Sequence, residues 1–165
     1  MTAALHIRDA QPADGAAIAA IYAPFVADGW VSFETEAPDA GAMTARIAEY
    51  GSSHAWLVAE LDGIIVGYAY ASPHRTRAAY ATSADIAIYL ARDAQGRGLG
   101  RLLYTALFER LRSRSIHAVF AGIALPNPAS IALHEAMGMT PVGIYREVGW
   151  KLGAWRDVGW WQRLL

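Results

Sequence analysis

The chain has 165 residues, with 14 lysines and arginines against 15 aspartates and glutamates, a formal net charge of -1, and no cysteine. That length suits one domain able to bury a sizeable core, and the charge balance excludes wholesale binding to nucleic acid or an acidic membrane, either of which shows as a basic excess. Without cysteine, a disulfide scaffold, a cysteine-ligated zinc and a thiol nucleophile are excluded as well.

The opening MTAALHIRDAQPADG carries acidic residues early and no long apolar run, so no signal peptide is read there. Apolar stretches elsewhere fall short of a membrane span, which makes a cytoplasmic protein the expectation. Leu5 to Arg8 is predicted as a short strand. Asp9, Pro12 and Asp14 then supply helix-start chemistry ahead of Ile18, Ile21, Tyr22, Phe25 and Val26, whose spacing marks one buried helix face ending near Asp28-Gly29. VSFETEAPD reads as a loop or helix break, and Ala40 to Tyr50 as a second helix. Two β-rich runs, Trp56 to Glu60 and Ile64 to Ala71, flank Leu61-Asp62-Gly63, a hairpin signal. SPHRTRAAYATS is a polar loop, and Ala84 to Leu90 is the next strand.

A glycine-rich segment, Gln95-Gly96-Arg97-Gly98-Leu99-Gly100, follows and opens a helix whose stripe is Leu99, Leu102, Leu103, Ala106, Leu107 and Leu111. Ala118 to Leu125 is a strand. Pro126-Asn127-Pro128-Ala129-Ser130 starts a helix running to about Met137, with Gly138 as its stop. Two strands, Gly143 to Val148 and Asp157 to Arg163, joined by the turn-rich GWKLGAW, complete the chain. The order β-α-α-β-β-β-α-β-α-β-β predicts a mixed α/β (α+β) domain, antiparallel at first, with a central β-α-β crossover. No repeat, low-complexity run or linker interrupts it, so residues 1–165 read as a single domain.

Glycine is a poor helix former, so three of them at the start of a good helix need a reason. A helix N-terminus offers unpaired N–H groups and a partial positive charge, hence an anion site. Neither common nucleotide motif fits. The P-loop needs Lys-Ser/Thr after its last glycine, where Arg101-Leu102 stands; the dinucleotide fingerprint needs glycine at its sixth position, which is Arg101, and an acid near Phe120. The segment instead satisfies Gln/Arg-x-x-Gly-x-Gly/Ala and resembles the acyl-CoA pyrophosphate loop of the GNAT superfamily of N-acetyltransferases. Further segments resemble the superfamily's phosphinothricin and methionine sulfoximine (sulfone) acetyltransferase branch: Ile21 to Pro38, Trp56 to Tyr80, Leu133 to Met139 and Gly153 to Gln162.

The resemblance implies the GNAT acyl-CoA N-acyltransferase fold, a mixed, mostly antiparallel twisted sheet with a splayed strand pair. It implies acetyl-CoA as cofactor, a small amino acid as acceptor and a homodimer in many members. It places the cofactor on Ile86, Ala87, Ile88, Tyr89 and Leu90 of the splayed strand, on Gln95, Gly96, Arg97, Gly98, Leu99, Gly100 and Arg101 of the loop, and on Asn127 and Ser130.

Acetyl transfer from a thioester to an amine needs no protein nucleophile, in keeping with the missing cysteines. The acceptor's ammonium must lose a proton, so a carboxylate base is expected. Asp85 stands in an otherwise apolar strand, where this branch carries Glu or Asp, and Glu34 is the second candidate. Many superfamily members have a tyrosine proton donor aligned with His134, which leaves His134 as donor, substrate contact or packing residue. Arg75 and Arg77, flanking Thr76, suit an acidic acceptor because arginine forks match oxyanions. Phe33, Glu34 and Thr35 form the expected opposite wall, with Tyr80 as a further contact. Trp150, Trp155, Trp160 and Trp161 are expected to cap the pocket, build a dimer interface or pack the core. The five histidines share no metal-ligand spacing, and no Gly-x-Ser-x-Gly elbow occurs. Other amine acceptors, such as a peptide N-terminus or a polyamine, and a non-catalytic acyl-CoA sensor are the competing readings.

Overall fold

The computed structural model describes residues 4–165. Seven strands and four helices follow the predicted order: β1 (Leu5–Asp9), α1 (Gly15–Ala27), α2 (Ala40–Ser53), β2 (Ala55–Leu61), β3 (Ile64–Pro73), β4 (Ser83–Leu90), α3 (Leu99–Ser113), β5 (Ala118–Ala124), α4 (Pro128–Ala136), β6 (Thr140–Lys151) and β7 (Ala154–Leu164). They form one sheet in the order β1-β2-β3-β4-β5-β7-β6. Every neighbouring pair is antiparallel except β4 and β5, which run parallel across the α3 crossover. No helix among the described residues is long and apolar enough to cross a membrane.

Side chains of a strand alternate between the sheet's two faces, and β2 shows why both faces are covered. Ala55, Leu57 and Ala59 pack into one cluster with Leu103, Leu107 and Leu111 of α3, while Trp56 and Val58 pack into another with Ile18, Ile21 and Val26 of α1 and Met43 and Ile47 of α2. Helices therefore sandwich the sheet, each buried leucine contributing roughly 1.5–3 kcal/mol relative to exposure. The stripe expected on α3 needs correction at one place. Leu102 is 47% exposed, and Tyr104 and Phe108 point into the core instead. At 100° per residue, positions 103, 104, 107, 108 and 111 share an arc that 102 falls outside.

The Asp62-Gly63 hairpin is present, both residues at positive φ (50° and 82°), as a two-residue hairpin turn requires. GWKLGAW, in contrast, is mostly strand. Trp150 pairs with Trp155 and Lys151 with Ala154, so only Leu152-Gly153 turns, again with both φ positive. Gly149 gives that stretch its loop-like look, but its bare backbone serves packing: a Cβ there would collide with the Phe33 ring. The last helix starts at Pro128, later than Pro126, because Asn127 is its N-cap, accepting from the Ser130 backbone N–H at 3.2 Å.

Candidate active site

Pairing between β4 and β5 covers only Ser83 to Asp85 against Ala118 to Phe120. Beyond the Asp85–Phe120 pair the strands part, leaving the β5-facing backbone of β4 unpaired from Ile86 onward. Two cavities occupy the fork. A narrow slot of about 60 Å³ is lined by Ile86, Ala87, Ile88, Tyr89, Tyr104, Asn127, Ser130 and His134. An open cleft of about 370 Å³ on the other side is lined by Phe33, Tyr70, Ser72, Asp85, Val158 and Trp160. Val31, Ile86, Ala87, Gly122 and Ala124 belong to both, so slot and cleft meet at the fork, with Asp85 beside the junction.

The glycine loop lies between the end of β4 and the start of α3. Gly96 and Gly98 have φ of 72° and 79° and nothing within 4 Å of where a Cβ would stand. Their bareness serves the turn and leaves open space on its outer side. Gly98 is the N-cap of α3 with no side chain capping the first-turn N–H groups, so these remain available to an anion. Arg97 and Arg101 are exposed around them. Gly100 has a different reason to be bare: a Cβ would approach Leu133 of α4 at 3.0 Å, so it permits helix packing. Gln95 donates to the Leu90 carbonyl at 3.3 Å and ties the loop to β4, while Leu99 is buried.

Asp85 faces the cleft with its side chain 30% exposed, and one carboxylate oxygen lies 2.5 Å from Nδ1 of His74. Burial pushes its pKa up, and the hydrogen bond from His74 pulls it partly back. Glu34 is held quite differently. Arg46 grips both its oxygens, at 3.0 and 2.5 Å, and the Tyr22 hydroxyl donates to it. Arg46 above all holds its carboxyl below the ordinary glutamate range. Glu34 thus braces the loop that carries Phe33 and does not line the cleft.

Lys151 braces the same loop from the other side. Only 6% exposed, its ammonium donates to the backbone carbonyls of Val26 at 2.7 Å and Ser32 at 2.6 Å. Lys151→Met keeps the stem but leaves two buried carbonyls unpaired, at about 1–3 kcal/mol each. We expect a lower melting temperature and a raised Michaelis constant for the acceptor, with that for the cofactor nearly unchanged; steady-state kinetics and thermal unfolding check both.

The remaining expected acceptor contacts are dispersed. Arg75, Thr76 and Arg77 stand exposed on the loop after β3, and Arg75 donates to the His74 carbonyl at 2.8 Å. None of the three lines the cleft. Thr35 is exposed outside it, and Tyr80 packs its edge against His74 at 5.9 Å. Of the tryptophans, Trp160 lines the cleft, Trp161 is in the core, and Trp150 and Trp155 pack on each other at the exposed hairpin end.

His134 is buried with both ring nitrogens engaged. Nδ1 lies 2.7 Å from the Ser130 carbonyl, which can only accept, so Nε2 accepts from the Tyr104 hydroxyl at 2.8 Å. Burial pushes its pKa down, favouring the neutral ring. A free proton donor at this position is therefore not what the side chain offers; its hydrogen bond orients Tyr104 over the slot.

His74, Arg46, Tyr104, Lys151, Tyr70 and Ser72 were not singled out from the sequence. His74 alone had a local signal. The β3–β4 register sets Ser72 opposite Asp85, which brings the residue two places further on close to that carboxylate. Among the described residues no group of acidic and histidine side chains could hold a metal ion.

Comparison with known proteins gives a consistent picture. A profile of the acetyltransferase (GNAT) family matches residues 20–139. A phosphinothricin N-acetyltransferase of Streptomyces viridochromogenes is 38% identical over 96% of this chain and 87% of its own. The L-methionine sulfoximine/L-methionine sulfone acetyltransferase of Salmonella typhimurium is 32% identical over 96% and 93%. The crystal structure of a phosphinothricin acetyltransferase from Sinorhizobium meliloti in complex with AcCoA superposes with a TM-score of 0.92, at 36% identity, over 100% of this chain and 89% of that one.

Proposed function

Because the chain belongs to the acetyltransferase (GNAT) family and is an acetyl-CoA-dependent N-acetyltransferase, we propose that its acceptor is the α-amino group of a small acidic amino acid of the phosphinothricin, methionine sulfoximine or methionine sulfone kind. The observation that carries this reading is the junction of slot and cleft at the β4–β5 fork, with one half-buried carboxylate beside it. The cleft's 370 Å³ suits a small molecule better than a folded partner. The relatives' names supply the acceptor class.

In this reading the Gly96–Arg101 loop would hold the pyrophosphate of acetyl-CoA, and Ile86 to Leu90 with Asn127 and Ser130 would hold its arm; when bound, it would supply the activated acyl group. Asp85 takes the proton from the acceptor's ammonium so that the nitrogen lone pair can attack. A β5-facing backbone N–H within Ile86 to Ile88, left unpaired where the strands part, is the donor for the carbonyl oxygen as it gains negative charge. Tyr104, held by His134, lines the slot and would be the hydroxyl offered to the departing thiolate. Phe33 and Trp160 wall the acceptor, and the charge of Arg75 and Arg77 favours an acceptor with an anionic group entering from solvent.

The enzyme acts, in the same reading, as one domain in the cytoplasm and as a homodimer. Strand β6 is a sheet edge twelve residues long, with Val142, Ile144, Tyr145, Val148 and Trp150 all exposed by 49–61%. Such an edge invites pairing or cover by a second copy. Light scattering should return twice the 17.8 kDa of one chain, and Val148→Glu should return one.

Purified protein given acetyl-CoA and a panel of amines, with free thiol release followed, tests the acceptor class. Turnover is expected with phosphinothricin, methionine sulfoximine or methionine sulfone. Turnover of a peptide or polyamine and none of these would overturn it, and no release with any amine would favour a sensor.

A further inference from the structure

The contact between His74 and Asp85 has no counterpart among the roles assigned so far. The His74 ring is clamped: it stacks on Phe120 with centroids 4.3 Å apart and planes 19° off parallel, meets Trp160 edge-on at 6.3 Å and Tyr80 at 5.9 Å. Phe120 is also the residue paired with Asp85 where β4 and β5 part. The last rung of the fork therefore carries the carboxylate on one strand and the platform for its histidine on the other. The His74 side chain is 14% exposed against 30% for Asp85, which places the ring behind the carboxylate as seen from the cleft.

At 2.5 Å the contact is a short, charge-assisted hydrogen bond. A carboxylate has no proton to give, so Nδ1 is the donor. No hydrogen-bond partner of Nε2 is found among the described residues. We propose that His74 is a positioning residue for acetyl transfer: its clamped ring donates Nδ1–H to Asp85 and so fixes the orientation and charge in which that carboxylate meets the acceptor's amine. The proposal rests on Asp85 being the base.

The neighbourhood explains why such a partner is needed. Burial favours the neutral acid at Asp85, and the principal opposing influence is His74, with a weaker one from Arg75. The other titratable groups that face the pair are Tyr70 from β3 and Tyr80 from the loop; β5 and β7 bring only Phe120, Val158 and Trp160. Removing the Nδ1–H donor leaves burial unopposed by a hydrogen bond. Asp85 then holds its proton to higher pH, and a protonated acid cannot accept another.

His74→Phe keeps an aromatic ring on Phe120 and deletes the donor. In this variant the acid limb of the kcat/KM profile for the acceptor should move to higher pH by about one unit. Activity on the acid side of the parent limb should fall by up to about tenfold and recover as pH rises, with the Michaelis constant for acetyl-CoA unchanged. His74→Asn, whose Nδ2 can stand where Nδ1 was, should bring the limb back toward the parent position. His74→Leu carries the same expectation should the Phe variant not fold. A parent-like acid limb in the donor-less variants, or a loss equal at every pH, overturns the proposal. The two readings separate cleanly: an active Asp85→Asn enzyme sinks the base assignment itself, whereas an inactive Asp85→Asn beside an unshifted His74→Phe sinks only the role of His74.

Discussion

Asp85→Asn should lower kcat by about 10²–10⁴-fold, the range that a positioned general base contributes, with the Michaelis constant for acetyl-CoA nearly unchanged. Asparagine keeps the shape and can still accept from His74 Nδ1, so the fork is preserved and only the proton acceptor is removed. The stability effect has the opposite sign. Asp85's folded-state pKa is raised by burial, so the stability linked to this group is fully present below its unfolded pKa and declines as pH rises through the folded one. At neutral pH the ionised side chain therefore works against folding, and the asparagine variant should melt no lower than the parent. Single-turnover kinetics beside thermal unfolding separate the two effects. A variant inactive because it is unfolded would show both losses together.

Gly98→Val should cost acetyl-CoA binding more than any other single change in the loop. Gly98 sits at φ 79°, a region that a β-branched residue enters only under strain of about 1–2 kcal/mol. It is also the N-cap of α3, so relaxing that strain re-aims the first-turn N–H groups. A loss of 1.4 kcal/mol is tenfold in an equilibrium constant, so the Michaelis constant for acetyl-CoA should rise at least about tenfold, with the acceptor's much less affected. Gly63→Val is the control. It carries the same strain at φ 82° in the β2–β3 turn, away from the fork, and should lower the melting temperature without changing either Michaelis constant.

Glycine shows where local sequence is readable and where it is not. Gly96 and Gly98 announce a turn ahead of a helix, and the structure has both at positive φ with open space beyond. Gly100 and Gly149 look like members of the same class, but each is bare because a side chain from elsewhere comes up against it: Leu133 crowds the Cβ position at Gly100, and the Phe33 ring occupies it at Gly149. Glu34 has the same ambiguity. As a residue in FETE it is a carboxylate of unstated purpose, and only the approach of Arg46 and Tyr22, twelve positions away on either side, makes it a brace.

Periodicity and turn chemistry by themselves determined the element order, the crossover and the helix start at the glycine loop, because each depends on interactions within a few residues. The resemblance carried by the loop and the flanking segments determined the cofactor. Only the tertiary structure decided which carboxylate lines the cleft at the fork, which is bound by arginine, that the nitrogens of His134 are both taken, and that His74 backs Asp85. Those outcomes depend on contacts between strands and helices distant in the chain, and desolvation and hydrogen bonding at such contacts, rather than residue type, set what a titratable side chain can do.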